Sequence, residues 1–258
     1  MPATRLVGID MVELGRRRHY VHGLIEPDVT GARAAIKRLR DSGTRISFTG
    51  WIAKCLADAA AESGDINVLR KGRSLYAFEA VHVAMPIEAT FDGKPVPLPY
   101  LVRDCESKTV LDITGEIDSL KSAGPSHEMV LADRKAARMA KVSILLPSVA
   151  RRFAMKLMLR DPVRVHDMMG ALCVTAVGMF GASGGWPIVI PTGHALVIAV
   201  GGIAHKPVLM DDSAAAEPRE LLNLTMSFDH DVIDGAPAAR FTARLIEMLE
   251  AGHGLDFL

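Results

Sequence analysis

The sequence predicts an α/β fold, and alternating and helical apolar patterns carry that prediction. Apolar and polar residues alternate over 222–227, which is typical of a strand with one buried face. Apolar residues then recur at three- and four-residue spacing, as on one face of a helix: Ala238, Phe241, Leu245 and Leu249. A second helical pattern covers about 49–63, and strands are predicted at about 75–85 and 96–102.

Composition bounds the class of protein. The 258 residues, 49% hydrophobic and 23% charged, suit one globular domain over 1–258. Thirty basic residues balance 30 acidic ones, which gives no sign of a nucleic-acid partner. The three cysteines lie far apart and show no metal spacing. Without a secretory leader pattern or a long apolar run, a cytoplasmic protein is expected.

The N-terminal half is predicted from local signals. A helix is predicted that Asp28 or Thr30 caps and that ends near Asp41. The pair Ser42-Gly43 separates this helix from the next one.

One histidine stands out because of its position. His230 follows the alternating run and precedes Asp234 and Gly235 in a short polar turn. A lone histidine more often serves packing or hydrogen bonding, but one in a polar turn at a strand end is placed for proton transfer. Pro237 suits the first turn of the following helix, and Gly252 is a plausible stop.

The segment Asp229-His230-Asp-Val-Ile-Asp234-Gly235 resembles the Asp-His-Arg-x-x-Asp-Gly signature of the catalytic core of dihydrolipoamide acyltransferases, the second components of 2-oxoacid dehydrogenase complexes. The shorter His-x-x-x-Asp-Gly form is shared with chloramphenicol acetyltransferase. Residues 19–29 resemble the first strand of the family's core and its turn into a helix. Residues 170–181 and 191–202 resemble further segments of the family, and the matches span roughly 19–252. The resemblance implies a two-layer chloramphenicol acetyltransferase-like fold with a mixed β-sheet, flanking helices and, at about Ser107–Leu120, a helix.

The resemblance also implies a chemistry. His230 takes the place of the general base, Thr175 that of the hydroxyl that stabilises the oxyanion, and Asp234 that of an aspartate that holds the site and caps the next helix. Coenzyme A is the expected acyl-group substrate, with no metal, and the residues that bind it are not identified. Asp231 replaces the family's arginine, which removes a possible ion pair and places a negative charge beside His230.

The implied assembly is a homotrimer or a multiple of trimers. In the resembling families the histidine of one chain faces the hydroxyl strand of its neighbour, so His230 is expected near Thr175 of another chain. Neither a lipoyl domain nor a peripheral-subunit-binding domain is expected on this chain. The acceptor stays open between a lipoyl domain in trans, a small-molecule thiol, an amine and an alcohol. The alternative function is a catalytically weak trimeric scaffold.

Residues 130–169 depart from the family as a basic helical insertion. Eight basic and no acidic residues lie between Arg134 and Arg160, and Pro147 and Pro162 divide the region into two helical pieces. Apolar residues repeat at helical spacing among them: Phe153, Leu157 and Met158. Three interpretations are open: packing of the apolar face on the protein's own trimer, contact with an anionic membrane or acidic partner, or lining of a cofactor channel.

Overall fold

The structure is a computed structural model, and it describes residues 9–10, 12–13, 15–16, 18–91, 94–123, 147–178, 185–190, 192–209 and 216–256. Within these ranges, no helix combines the length and the apolar character needed to cross a bilayer. The part of the basic insertion before residue 147 lies outside the described residues.

The strands of the described chain form two sheets. Their bounds are β1 Tyr20–Ile25, β2 Val68–Lys71, β3 Ser74–Ala77, β4 Val83–Phe91, β5 Lys94–Val102, β6 Leu172–Ala176, β7 Leu196–Leu209 and β8 Ala216–Asp229. The larger sheet has the order β1-β8-β7-β6-β4-β5. It is mixed, because β6 pairs in parallel with β7 and with β4, while the other strand pairs of the sheet are antiparallel. The antiparallel pair β2–β3 stands apart from it.

The helices are α1 Thr30–Asp41, α2 Phe48–Ser63, α3 Val110–Ala123, α4 Ser148–Met158, α5 Pro162–Met169 and α6 Gly235–Glu250. Helix α2 packs against α3, α6 and β6, and α1 packs against α6 and β8. The buried residues form one hydrophobic core that includes Trp51 of α2 and Leu245 of α6.

Local chemistry explains where two helices begin. The Ser47 side chain accepts the N–H of Gly50 at 3.2 Å and caps α2, which ends at Gly64 in the left-handed conformation. Before α3, the Thr109 hydroxyl accepts the N–H of Asp112 at 3.1 Å while the Asp112 carboxylate accepts the N–H of Thr109 at 2.9 Å. This reciprocal cap starts the helix at Val110, three residues later than predicted.

The strand predicted over 75–85 is two strands with a bend between them. β3 ends at Ala77 and β4 begins at Val83. The buried amide of Asn67 donates to the carbonyl oxygens of Phe78 and Ala80, both at 2.8 Å. These two bonds hold the bend and turn the chain away from the small sheet.

Helix α4 packs on the rest of the chain through a charged side rather than through its apolar side. Arg151 is 5% exposed and forms an ion pair with the buried Asp10, which also binds Arg152 at 2.8 Å. Phe153 and Leu157 are 70% and 58% exposed. In the single chain, the ion pair with Asp10 therefore turns the apolar side of α4 outward. Packing of that side on a trimer stays a prediction.

Candidate active site

We call residues 229–234 the histidine turn, and it begins where β8 ends. The N–H of Asp229 donates to the carbonyl of Ala195 at 2.8 Å, and the N–H of His230 donates to the carbonyl of His19 at 2.8 Å. The carbonyl of Asp229 accepts the N–H groups of Val232 and Ile233, each at 3.0 Å. These bonds fix the backbone of the turn while the His230 side chain itself is exposed.

Charged side chains hold both flanks of His230. Asp229 is fully buried and pairs with Arg18. The carboxylate of Asp231 accepts a bond from Nδ1 of His19 at 2.9 Å and lies 3.3 Å from Arg70. The bond from His19, with the positive charges of Arg70 and Arg18, holds the pKa of Asp231 below its usual value. The aspartate that stands in place of the family's arginine thus has an ion-pair partner of its own, Arg70.

Asp234 occupies the N-cap position of α6, as predicted, but its side chain makes no capping hydrogen bond. Pro237 is the third residue of the helix and has no N–H, so one of the two donors that a capping side chain uses is missing. The expected side-chain cap is therefore wrong. A role for Asp234 in holding the site stays a prediction.

Thr175 lies near the end of β6 and is half-buried. Register pairs it with Ala199 of β7, and Ala199 pairs with Thr225 of β8. Residues paired across strands share a face of the sheet, so Thr175 lies on the same face as Thr225. The neighbours of Thr225 along β8, Leu224 and Met226, face the core. Thr175 therefore points away from the core that the helices cover.

The turn after β6 needs glycine at one point. A Cβ on Gly178 would lie 1.8 Å from the carbonyl oxygen of Gly201, because the backbone of β7 passes directly against it. The next described residue is Gly185. The close approach of Gly178 and Gly201 fixes where the chain leaves β6, three residues after Thr175.

Within one chain, His230 and Thr175 do not meet. Thr175 is level with Thr225, which precedes His230 by five residues along β8. At about 3.3 Å per residue along a strand and about 4.8 Å between strands, the two residues are separated by roughly 17 Å along the sheet and about 10 Å across it. The two predicted site residues are therefore too far apart to act together within one chain.

A cavity of about 40 Å³ lies beside the histidine turn. Its charged wall is formed by Arg18 and Arg70, which pair with the two aspartates that flank His230. Four residues of the insertion also line it: Leu159, Pro162, Val165 and Met169. The described part of the insertion thus lines a space next to the candidate base.

A second group of ionisable residues lies away from this turn. His82, His166 and Asp167 could offer three ligand atoms to a cation, since those atoms lie within 4.8 Å of one another. The two histidine rings are stacked at 4.3 Å, with Phe78 stacked on the other side of His166 at 4.0 Å. Stacked rings direct their nitrogens side by side, whereas the ligands of one cation direct them at a common centre. Burial lowers the pKa of His166 to about 4.

The sequence did not reveal the supports of the histidine turn. Arg18 belongs to a basic triplet with no clear periodicity, and Arg70 lies on a short strand more than 150 residues before the turn. Only the fold brings them to the aspartates beside His230. The one available signal was the pair of aspartates itself, because charges next to a buried strand end require partners.

Comparison with known proteins shows what the chain is similar to. The model of the family described as 2-oxoacid dehydrogenases acyltransferase (catalytic domain) matches residues 154–255. A dihydrolipoyllysine-residue acetyltransferase component of the pyruvate dehydrogenase complex, from Pseudomonas aeruginosa, is 30% identical over 230 residues, which are 86% of this chain and 34% of that protein. The chain spans about a third to a half of the length of the curated relatives it matches.

Solved structures extend the fold to nearly the whole chain. A probable dihydrolipoamide acetyltransferase from Listeria monocytogenes has a TM-score of 0.71 at 19% identity, covering 97% of this chain and 93% of that one. The cubic core of a pyruvate dehydrogenase multienzyme complex has a TM-score of 0.68 at 21% identity, covering 99% and 92%. The α/β fold with a mixed sheet and the resemblance to the catalytic domain of the 2-oxoacid dehydrogenase acyltransferases are thereby confirmed.

Proposed function

We propose that this chain is a coenzyme A-dependent acyltransferase that moves an acyl group between coenzyme A and a thiol acceptor, either a dihydrolipoyl group or a small molecule. The observation that carries the proposal is His230, an exposed imidazole on a turn whose backbone and flanking charges are fixed. The match of residues 154–255 to an acyltransferase catalytic domain supports it.

His230 acts as the general base in this proposal. It accepts the proton of the attacking thiol, and the thiolate adds to the thioester carbonyl. When the tetrahedral intermediate collapses, the leaving thiolate takes the proton back from the imidazolium, so no net charge is left on the enzyme. Proton transfer of this kind contributes about 10²–10⁴ in rate.

Thr175 supplies the hydroxyl that binds the oxyanion. Its O–H donates to the carbonyl oxygen as that oxygen becomes negative, and the loss of one such donor costs about 10²–10³ in rate. Serine is usual at this position in the resembling family, and the β-branch of threonine restricts the directions that the hydroxyl can take. Thr175 is half-buried on the sheet face away from the core, and the proposal requires its hydroxyl to face the bound thioester.

The separation of the two residues supports a site shared between chains. Because Thr175 and His230 lie far apart in one chain, a second chain must bring its own histidine turn to the hydroxyl strand. We propose a homotrimer or a multiple of trimers, and a structural relative that is the cubic core of a multienzyme complex supports such an assembly. Light scattering at micromolar concentration should give a trimer or a multiple of one, and a monomer would contradict the shared site.

The direct test of the function is transfer of the acetyl group from acetyl coenzyme A to dihydrolipoamide. The reaction is monitored by the appearance of the free thiol of coenzyme A. We expect time-dependent transfer by the wild-type protein. The transfer rates to lipoyl domains and to small thiols, amines and alcohols then rank these acceptors. Failure to transfer to every acceptor, with an acyl donor that a known acyltransferase uses under the same conditions, would favour the weak scaffold.

Mixing two inactive variants tests the shared site. A His230→Ala chain and a Thr175→Val chain, unfolded and refolded together, form some interfaces that combine an intact histidine with an intact hydroxyl. With random assembly, about a quarter of the sites regain both residues, so about a quarter of the wild-type activity should return. A site contained in one chain would regain none.

A further inference from the structure

Asp231, the residue that follows His230, is bound from two sides. Its carboxylate accepts the bond from Nδ1 of His19 at 2.9 Å and lies 3.3 Å from the guanidinium of Arg70. Its own N–H donates to Asp229 at 3.1 Å. Asp231 is thus a junction between the histidine turn and two other elements of the fold.

These two elements come from separate parts of the structure. His19 leads into β1, and its carbonyl accepts the N–H of His230. Arg70 belongs to β2 of the small sheet, next to the buried Leu69. Asp231 therefore ties the histidine turn both to the edge of the large sheet and to the small sheet.

The sign of the charge at residue 231 is set by these neighbours. A positive side chain there would face Arg70 directly, and Arg18 stands on the other flank of His230. A negative charge is attracted by both arginines and by a protonated His19. Aspartate at 231 and arginine at 70 are therefore a matched pair, and neither charge can be reversed alone without repulsion.

We infer that Asp231 and Arg70 are positioning residues that hold His230 in place for acyl transfer. The inference rests on the proposed function of His230 as the base. A base must stay within hydrogen-bond reach of the thiol, and a displacement of about 1 Å can cost about 10²-fold in rate. The pair is partly exposed, with Arg70 at 46% and Asp231 at 16%, so it affects geometry more than stability.

A charge-exchange cycle tests the pair. Asp231→Arg and Arg70→Asp should each lower kcat about tenfold, with KM for the acyl donor changed less than about twofold, because the base is displaced while most substrate contacts remain. The double variant restores opposite charges with the signs exchanged but not the bond from His19, so its loss in kcat should be clearly smaller than the losses of the two single variants combined. Arg73→Asp, an exposed charge reversal on the same β2–β3 hairpin, serves as the matched control and should leave kcat unchanged.

A readout independent of activity separates this inference from the proposed function. The imidazole resonances of His230 in a heteronuclear NMR spectrum should shift in both single variants and return toward wild type in the double variant. If the wild type has no transferase activity, this pattern still reports the pairing. If either reversed chain fails to fold, Asp231→Asn, which removes the charge at nearly constant shape, takes its place and should show the same shift. Losses in kcat and resonance shifts that simply add in the double variant would overturn the inference.

Discussion

The histidine turn and the strand that carries Thr175 are held by different kinds of interaction. Backbone hydrogen bonds fix the turn, and side-chain ion pairs add support on both flanks of His230. Backbone pairing with β7 on one side and β4 on the other holds β6, whose Leu172 and Val174 lie in the core. The turn therefore depends on the identity of several distant polar residues, whereas β6 is held by backbone pairing and by its two side chains in the core.

The largest expected effect comes from the base. His230→Ala should lower acyl transfer at least about 100-fold, because proton transfer by a positioned group contributes 10²–10⁴. The melting temperature should change little, since the side chain is exposed. His205→Ala, which removes another exposed histidine on β7, is the control and should keep full activity. An unchanged rate in His230→Ala would favour the scaffold.

The second effect tests the other half of the comparison. Thr175→Val keeps the shape of the side chain and removes the hydroxyl, so transfer should fall about 100-fold while the fold is retained. Thr175→Ser keeps the hydroxyl and should stay within about tenfold of wild type. Equal rates for the valine and serine variants would exclude the hydroxyl from the reaction.

Acid should lower the stability of the fold through one buried histidine. Buried His194 leads into β7 beside the turn, where Nδ1 lies 2.8 Å from the Thr192 hydroxyl and Nε2 lies 3.2 Å from the carbonyl of Met169. Because Nε2 must donate to that carbonyl, Nδ1 accepts from Thr192, and the ring is neutral. Burial lowers the pKa of His194 to about 4.

The sign of the resulting pH dependence follows from the two states. The unfolded chain binds a proton at His194 near pH 6.5, and the folded chain does so only near pH 4. Stability is therefore complete above about pH 6.5 and falls by roughly 1 kcal/mol per pH unit toward pH 4. Denaturant unfolding at several pH values should show a smaller slope for His194→Gln than for the wild type. His22→Gln, at an exposed histidine of β1, should keep the wild-type slope.

The smallest effect is expected at α4, outside both halves of the site. Arg151 and Arg152 bind Asp10, so Arg151→Glu/Arg152→Glu tests the attachment of the helix rather than a charged surface. Lys156 and Arg160 are exposed and are the better residues for a membrane test. We expect no more flotation with anionic than with neutral vesicles, because the proposed trimer would cover Phe153 and Leu157. Salt-sensitive flotation that Lys156→Glu/Arg160→Glu abolishes would show a membrane surface instead.

The sequence by itself predicted much of the fold. Alternation placed β8, helical spacing placed α2 and α6, and Pro147 and Pro162 bound the two helices of the insertion as predicted. These signals are local, since a strand or a helix depends on residues within a few positions along the chain. The motif likewise located His230 in a turn at a strand end, because strand, turn and helix are contiguous there.

Tertiary structure decided what depends on residues distant in sequence. It gave Asp231 the partner Arg70, and it turned the apolar side of α4 outward by pairing Arg151 with Asp10. It also set Thr175 far from His230 in the same chain through the register of three strands. Periodicity shows which residues share a face of an element, but the direction of that face and the partner of a charge depend on which other elements pack beside it.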